Sequence, residues 1–329
     1  MKAAVYNSYG PPDVVQIKDV EKPVPKDNEV LIKVHAASVN PLDWHFMRGT
    51  PYIVRIMAGL RKPKNTRPGV DVAGQVEAVG KNVTQFKSGD AVFGTCRGSF
   101  AEYACTTESA LVIKPDNMTF EQAASVPIAA FTALQGLRHS GFGDEEQIQP
   151  GQKVLINGAA GGVGTFAVQI AKSLGASVTG ICSTRNVDMV RSLGADNVID
   201  YTQEDFTNNG EQYNLFFDCI GNHSLLACSR VLKPRGIYIP VGGESGRWMI
   251  RPLVRSITAL VLSRFIGKKL VPFFLAKSCK EDLMIVHELM KAGKVKPVID
   301  RRYSLSEVPE AIRYLEEGHA RGKVIITLE

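Results

Sequence analysis

The chain has 329 residues, 44% hydrophobic and 22% charged, with a formal net charge of +6. That length implies two domains, and the balance argues against a disordered chain. No charge-free apolar run reaches the roughly 18–20 residues needed to cross a bilayer, and the mild positive charge favours an anionic small ligand over nucleic acid.

The six cysteines, Cys96, Cys105, Cys182, Cys219, Cys228 and Cys279, contain no C-x-x-C pair. Disulfide frameworks belong to small secreted chains and zinc ribbons need close pairs, so free thiols in a reducing cytoplasm are expected. The segment Met1–Val5 reads as a strand and lacks the apolar core and cleavage site of a signal peptide.

From residue 1 to about 120 the pattern is strands and turns, with strands expected over Lys2–Tyr6, Val30–Ala37, Val70–Val79 and Asp90–Gly94. Gly10-Pro11-Pro12 and Lys22-Pro23-Val24-Pro25 punctuate them. A helical stretch follows over Phe120–His139, then a turn at Gln149–Gln152. Strands at Lys153–Asn157, Ser177–Ser183, Val198–Asp200, Leu215–Ile220 and Gly236–Val241 then alternate with helices at Val163–Leu174 and Val187–Leu193. Such alternation implies a parallel sheet covered on both faces. Helices are expected at Lys280–Ala292 and Ser306–Glu317, and a last strand at Lys323–Leu328.

The most informative stretch is Lys153–Gly164, a buried strand that ends in Gly158-Ala159-Ala160-Gly161-Gly162-Val163-Gly164 and opens a helix at once. This is the context a dinucleotide fingerprint requires. Glycines let the backbone turn tightly and let a pyrophosphate approach, while the helix N-terminus offers unpaired N–H groups. The end of the next strand separates the cofactors. An enzyme preferring NAD usually carries an acidic residue there for the ribose hydroxyls. Here Ser183, Thr184 and Arg185 stand instead, suiting the 2′-phosphate of NADPH. Arg185 has a second reading as a solvated first-turn arginine, although a cation gains nothing from the dipole there.

The stretch Gly151-Gln152-x-x-Leu155-x-x-x-Ala159-Ala160-Gly161-Gly162-x-Gly164-x-x-x-x-Gln169-x-x-Lys172 resembles the signature of the quinone oxidoreductase and zeta-crystallin family. That is the zinc-free branch of the medium-chain dehydrogenase/reductase superfamily. Segments Ser38-Val39-Asn40-Pro41-x-Asp43, Gly69-x-Asp71-x-Ala73-Gly74, Phe86-Lys87-x-Gly89-Asp90 and Gly322-Lys323-Val324-Ile325 are similar to its catalytic domain. The resemblance spans essentially the whole chain, and within the branch it extends to bacterial reductases and a plant chloroplast-envelope homologue. It implies an α/β protein in which a GroES-like β-barrel catalytic domain (1–122 and 277–329) holds an inserted Rossmann doubly wound parallel-sheet domain (123–276).

The resemblance also implies site residues. Asn40 belongs to the segment facing the nicotinamide, and Tyr52 falls near a cleft tyrosine able to donate to a carbonyl oxygen. These are the candidate catalytic residues, with His45 a weaker proton donor. Thr132 resembles a residue at the nicotinamide ribose, and Tyr201 one at the adenosine half. Cys219, Ile220, Val241, Gly242 and Gly243 end later Rossmann strands, where ligands bind. Arg321, Gly322 and Lys323 resemble a stretch that returns to the cofactor. Tyr52, Tyr201 and Lys323 retain plain structural readings as loop aromatic, strand-end aromatic and strand-start lysine. Zinc-dependent relatives carry ligands where this chain has Ala37-Ser38-Val39-Asn40 and Gly69-Val70-Asp71. Asp71 alone cannot hold zinc, so no metal is expected and Asp71 is expected to make structural hydrogen bonds.

Between Arg247 and Phe274, basic residues (Arg251, Arg255, Arg264, Lys268, Lys269) alternate with apolar ones at helical spacing. One reading is weak peripheral contact with an anionic membrane through 247–274. The favoured one is a Rossmann helix leading to an edge strand at Leu270–Leu275, in a homodimer of the kind common in the family. Functionally, the expectation is a metal-free NADPH-dependent reductase of quinones or other electron-poor conjugated carbonyls. The alternatives are an alkenal or enone double-bond reductase and a non-catalytic NADPH-binding protein.

Overall fold

The computed structural model describes residues 1–138, 148–242 and 250–328, the side chains of 250–252 excepted. His139, Gly243 and Arg247 therefore lie outside the described residues, as does the Arg251 side chain. The chain forms two compact units, Met1–Ala129 with Ser278–Glu329, and Ala130–Lys277.

The first unit opens on β1 (Lys2–Val5) and β2 (Gln16–Asp19), an antiparallel pair. Next come β3 (Glu29–Val39), helices α1 (Pro41–Arg48) and α2 (Val54–Ala58), β4 (Asp71–Val79), β5 (Ala91–Thr95), β6 (Tyr103–Thr107) and β7 (Leu111–Ile113). Short helix α3 (Phe120–Ala124) then precedes α4 (Pro127–Arg138), within which the unit boundary falls. The single helix expected over Phe120–His139 is thus two. Pro127 lacks an N–H and disfavours the helical region for Val126, so α3 stops before it. Pro127 instead opens α4, the place where proline is preorganised.

The second unit contains β8 (Lys153–Asn157), α5 (Gly162–Ser173), β9 (Ser177–Cys182), α6 (Val187–Ser192), β10 (Asn197–Asp200) and β11 (Tyr213–Asp218). It continues through α7 (Leu225–Arg230), β12 (Leu232–Pro240), α8 (Ile250–Ile266) and β13 (Lys269–Leu270). Among the described residues its sheet runs β10-β9-β8-β11-β12-β13, every pair parallel. Strands β8, β9 and β11 are nearly continuous buried runs, as strands covered on both faces must be. The edge strand is shorter than the expected Leu270–Leu275. Val271 still donates to the Tyr238 carbonyl, but Pro272 has no N–H with which to extend the ladder.

The chain then returns to the first unit with α9 (Lys280–Lys291), β14 (Ile299–Ser304), α10 (Val308–Glu316) and β15 (Lys323–Thr327). The sheet order there is β14-β15-β3-β4-β5-β7, with β6 also paired to β3. Strand β3 is the hub, antiparallel to β4, β6 and β15, and it is buried along most of its length. Val30, Ile32, Val34, Val76, Val324 and Ile326 form the centre of this core. The mixed α/β architecture is that of a GroES-like unit and a Rossmann unit.

Candidate active site

In the second unit the strand β8 gives way at Gly158, whose φ of 78° suits glycine. The Gly161 N–H closes the turn on the Gly158 carbonyl at 3.0 Å, and α5 begins at Gly162. A Cβ on Gly164 would stand 2.1 Å from that same carbonyl oxygen, so only glycine lets the helix pack this close to the turn. The first N–H groups of α5, at Gly162, Val163 and Gly164, have no intrahelical acceptors by helix geometry. With Ala160 and Gly161 they are the candidates to cradle a pyrophosphate.

At the end of β9, Ser183, Thr184 and Arg185 enter a short 3-10 turn, with Thr184 and Arg185 exposed. Thr184 Oγ1 lies 2.9 Å from Thr202 Oγ1, and Tyr201, 56% exposed, follows β10 beside them. A residue that sequence reasoning passed over also stands here. Asp200, paired in register with Cys182, accepts from the Thr202 N–H and hydroxyl at 2.9 and 2.8 Å. Hydrogen bonding from Thr184 holds the Asp200 carboxyl below its usual range. The acid comes from a neighbouring strand, which spacing along β9 cannot reveal.

Asp218 is another unread residue. It is buried at the end of β11, where its Oδ1 accepts from Asn157 Nδ2 (2.9 Å), the Ile220 N–H (3.1 Å) and the Gly221 N–H (2.9 Å). Its Oδ2 accepts from the Tyr238 hydroxyl at 2.9 Å, and Arg255 donates to that hydroxyl at 2.6 Å. Val241 and Gly242 N–H groups donate to the Asp218 carbonyl. The Cys219–Gly221 turn and the Val241-Gly242 turn are therefore locked together at the carboxyl ends of β11 and β12. A Cβ on Gly242 would lie 1.9 Å from the Cys219 carbonyl oxygen. Thr132 is half-buried on α4.

The first unit contributes Asn40, Tyr52, Arg321, Gly322 and Lys323. Ser38 ends in register opposite Asp71, and β15 brings Lys323 alongside. Asp71 is fully buried. Its Oδ2 accepts from Ser38 Oγ (2.6 Å), Asn40 Nδ2 (2.8 Å) and Lys323 Nζ (3.4 Å), and its Oδ1 from the Ile128 N–H (3.0 Å). Lys323 Nζ also donates to Asn40 Oδ1 at 2.6 Å, and Asn40 Nδ2 reaches the Ser38 carbonyl at 3.3 Å. Both ends of the Asn40 amide are engaged, so its orientation is fixed. Asp71 makes the structural hydrogen bonds expected of it. Burial lowers the Lys323 ammonium from the ordinary lysine value, against the pull of Asp71 and Asp43.

Asp43, in the first turn of α1, is buried too and accepts from the Asn40 N–H (2.8 Å) and the Gly69 N–H (3.1 Å). Burial pushes its carboxyl up from 3.8 to about 7. The folded state then holds this proton more tightly than the unfolded chain, so the group's stabilising contribution is complete below 3.8 and is lost as pH rises through about 7. Unfolding free energies across that window are expected to fall by about 1.4 kcal/mol per pH unit from this group. Urea titrations of Asp43→Asn check it: an unchanged slope in the variant would rule the assignment out.

Tyr52 is half-buried, with the Arg55 guanidinium 4.8 Å from its ring centre. His45 Nδ1 lies 2.8 Å from the Thr50 carbonyl, and burial lowers its pKa, so the neutral ring donates there. Gly322 has φ of 100°, and a Cβ on it would meet the Val298 carbonyl oxygen at 2.3 Å. The Arg321 N–H donates to Asp300.

Known proteins share this fold. Residues 26–116 match the alcohol dehydrogenase GroES-like domain, and residues 193–326 the family described as zinc-binding dehydrogenase. The chain is 35% identical to the chloroplast envelope quinone oxidoreductase homolog of Arabidopsis thaliana, over 99% of this chain and 98% of the relative. The chain belongs to the quinone oxidoreductase branch of the medium-chain dehydrogenase/reductase superfamily. It is also 36% identical to the NADPH-dependent alkenal/one oxidoreductase, chloroplastic, of the same plant, over 99% of this chain and 79% of that one. Among solved structures, the quinone oxidoreductase from Coxiella burnetii superposes with a TM-score of 0.85 at 30% identity, covering 100% of this chain and 99% of that one. As a member of this branch the chain carries cofactor candidates on both units and its catalytic candidates, Asn40 and Tyr52, on the GroES-like unit. The Rossmann unit carries the glycine cradle and the β9 turn, and the GroES-like unit carries Asn40, Tyr52 and Lys323.

Proposed function

We propose that this protein is an NADPH-dependent oxidoreductase that reduces a quinone or another electron-poor conjugated carbonyl without a metal. The observation that carries this reading is the Gly158–Gly164 turn, where a Cβ on Gly164 would stand 2.1 Å from the Gly158 carbonyl oxygen and force the start of α5 away. Gly161, Gly162, Val163 and Gly164 would hold the pyrophosphate, and Ser183, Thr184 and Arg185 the 2′-phosphate. Tyr201 lies on the adenosine side, with Cys219, Ile220, Val241, Gly242 and Thr132 further along. Bound NADPH supplies a hydride to the acceptor's electrophilic carbon or ring.

The chain's own residues do the rest. Charge that develops on the acceptor oxygen needs a hydrogen-bond donor, and the Tyr52 phenol is the candidate. Asn40 fixes the backbone where β3 meets α1, its amide being tied to Lys323 and Asp71. Arg321 and Gly322 are candidates for closing on the cofactor. A tetrahedral zinc site needs three or four Cys, His or carboxylate ligands. The corresponding positions here hold Ser38 and Asp71, and the Lys323 ammonium stands 3.4 Å from the carboxylate. That ammonium repels a divalent cation, so the donor set does not fit the metal.

The names of the relatives support both quinone and alkenal or enone acceptors. Oxidation of NADPH with a quinone panel and an enone panel separates them. Tight NADPH binding with no turnover of either panel would favour a non-catalytic binding protein instead. Arg185→Glu is expected to weaken NADPH about ten- to a hundredfold while leaving NADH little changed; equal affinities in parent and variant, by fluorescence titration, would remove Arg185 from the phosphate site. We place the protein in the cytoplasm: Cys96, Cys182 and Cys228 are buried free thiols, which suits a reducing compartment. A homodimer is supported by α8, whose Leu253, Val254, Ile257, Leu260, Val261 and Phe265 are exposed beside the short edge strand β13. Weak contact with an anionic bilayer is the less favoured reading of that face. No nucleic-acid partner is proposed.

A further inference from the structure

Helix α2 and the turn after it turn their apolar side chains outward. Ile53 is 50% exposed, Ile56 67%, Met57 77% and Leu60 72%. The segment is held in place from beneath. Arg55 Nε donates to the Gly49 carbonyl at 3.0 Å, and its guanidinium lies over the rings of Tyr9 (4.5 Å) and Tyr52 (4.8 Å). The Tyr9 hydroxyl donates to the Gly59 carbonyl at 2.5 Å, and the Lys64 N–H to the Ala58 carbonyl at 2.7 Å. Gly59 has φ of 123°, and a Cβ there would meet the Lys62 carbonyl oxygen at 2.1 Å, so the turn is compact. The apolar tip is therefore presented by a braced scaffold.

The charge along the segment itself has one sign. From Trp44 to Val70 the chain carries Arg48, Arg55, Arg61, Lys62, Lys64 and Arg67 and no Asp or Glu. Arg48 pairs with Glu316 and Arg55 is engaged beneath the helix, which leaves Arg61, Lys62 and Lys64 exposed beside Leu60. A protein partner is usually met by a patch rich in aromatic residues, Met and Arg and poor in Lys. Here no exposed anchor is aromatic and two of the three exposed cations beside Leu60 are lysines, which instead matches a surface that is anionic outside and hydrocarbon within.

We propose that α2 and the Gly59–Lys64 turn dock the protein on an anionic phospholipid surface. Ile56, Met57 and Leu60 enter the acyl boundary, and Arg61, Lys62 and Lys64 meet the headgroup phosphates. Tyr52 lies in the same segment, immediately before Ile53. If the reductase reading above holds, on which this clause alone rests, the acceptor class is a lipophilic quinone or enone taken from the bilayer.

Flotation of the full chain with phosphatidylcholine vesicles, with and without phosphatidylglycerol, tests the docking and requires no turnover. Binding is expected to the anionic vesicles at low salt and to be about a hundredfold weaker on phosphatidylcholine alone, three surface cations being lost to the interaction. Ile56→Glu/Met57→Glu/Leu60→Glu is expected to abolish flotation, with the melting temperature and NADPH binding retained. Arg61→Ser/Lys62→Ser/Lys64→Ser changes only exposed side chains and is expected to remove the salt dependence. Leu260→Glu/Phe265→Glu, on α8, is expected to float like the parent. The proposal is overturned by absence of flotation at low salt, or by flotation that fails only in the α8 variant. It is equally overturned if light scattering shows that the α2 variant splits a dimer, since the patch is then a contact between copies.

Discussion

Replacing Lys323 by Met is expected to lower the unfolding free energy by about 3–5 kcal/mol, measured by urea denaturation at neutral pH. Lys323 is 3% exposed, and its ammonium is the cation in a cluster that also buries Asp43 and Asp71. Removing it leaves the Asp71 carboxylate in a low-dielectric interior with only neutral donors, Ser38, Asn40 and the Ile128 N–H. The charge, more than the lost methylenes, sets the size of the effect, because methionine keeps most of the side-chain volume. Adding Asp71→Asn removes the stranded charge, so the double variant is expected to be more stable than Lys323→Met alone, in a coupling of about 0.5–3 kcal/mol. A loss under about 1 kcal/mol in the single variant would mean that the lysine is neutral and compensates nothing. The same variant leaves Asn40 Oδ1 without its donor, which frees the amide to turn.

Gly164→Ala is expected to weaken NADPH binding about a hundredfold or more, the cost of misplacing a binding frame by an ångström or so. The added methyl would stand 2.1 Å from the Gly158 carbonyl oxygen and 2.8 Å from the Ala159 Cα, and both are backbone with no rotamer to escape into. The start of α5 must then move away from the turn, and its N–H groups move with it. Gly151→Ala, where nothing lies within 4 Å of a Cβ, is the control for glycine chemistry alone. Its φ of 80° makes it strained but leaves the cradle untouched. Isothermal titration of NADPH into both variants gives the answer, and similar affinities would show that the cradle is not the binding frame.

Strand, turn, helix and second strand follow one another in the chain at Lys153–Ser183, so local pattern alone outlines the dinucleotide cradle. Ser183, Thr184 and Arg185 could be read for the same reason. The acids Asp200 and Asp218 could not. Asp200 reaches Thr184 from the neighbouring strand, and Asp218 accepts from the Tyr238 hydroxyl on β12, to which Arg255 donates. Those contacts depend on strand order, which composition and period do not encode. Lys323 and Asp71 illustrate the same limit. Each was readable as a candidate, one near the cofactor and one in a former metal position. Their pairing appears only when β15 is laid beside β3 and Ser38 is brought opposite Asp71. The break at Pro127 and the early stop of β13 at Pro272 were legible in principle, since proline dictates both. The apolar periodicity that runs through them obscured the boundaries.

The position of β15 sets an order on biosynthesis. Of this sheet's strands it is the latest in chain order, yet Val324 pairs with Val39 of β3, and β14 has no place in the sheet until β15 fills the gap. The Rossmann unit, Ala130–Lys277, is continuous and can fold while translation proceeds. The GroES-like sheet must wait, its two buried carboxylates lacking their ammonium until Lys323 emerges. A nascent chain halted before that residue is a finished nucleotide-binding unit tethered to an open sheet edge, the state in which chaperones and proteases have most to act upon.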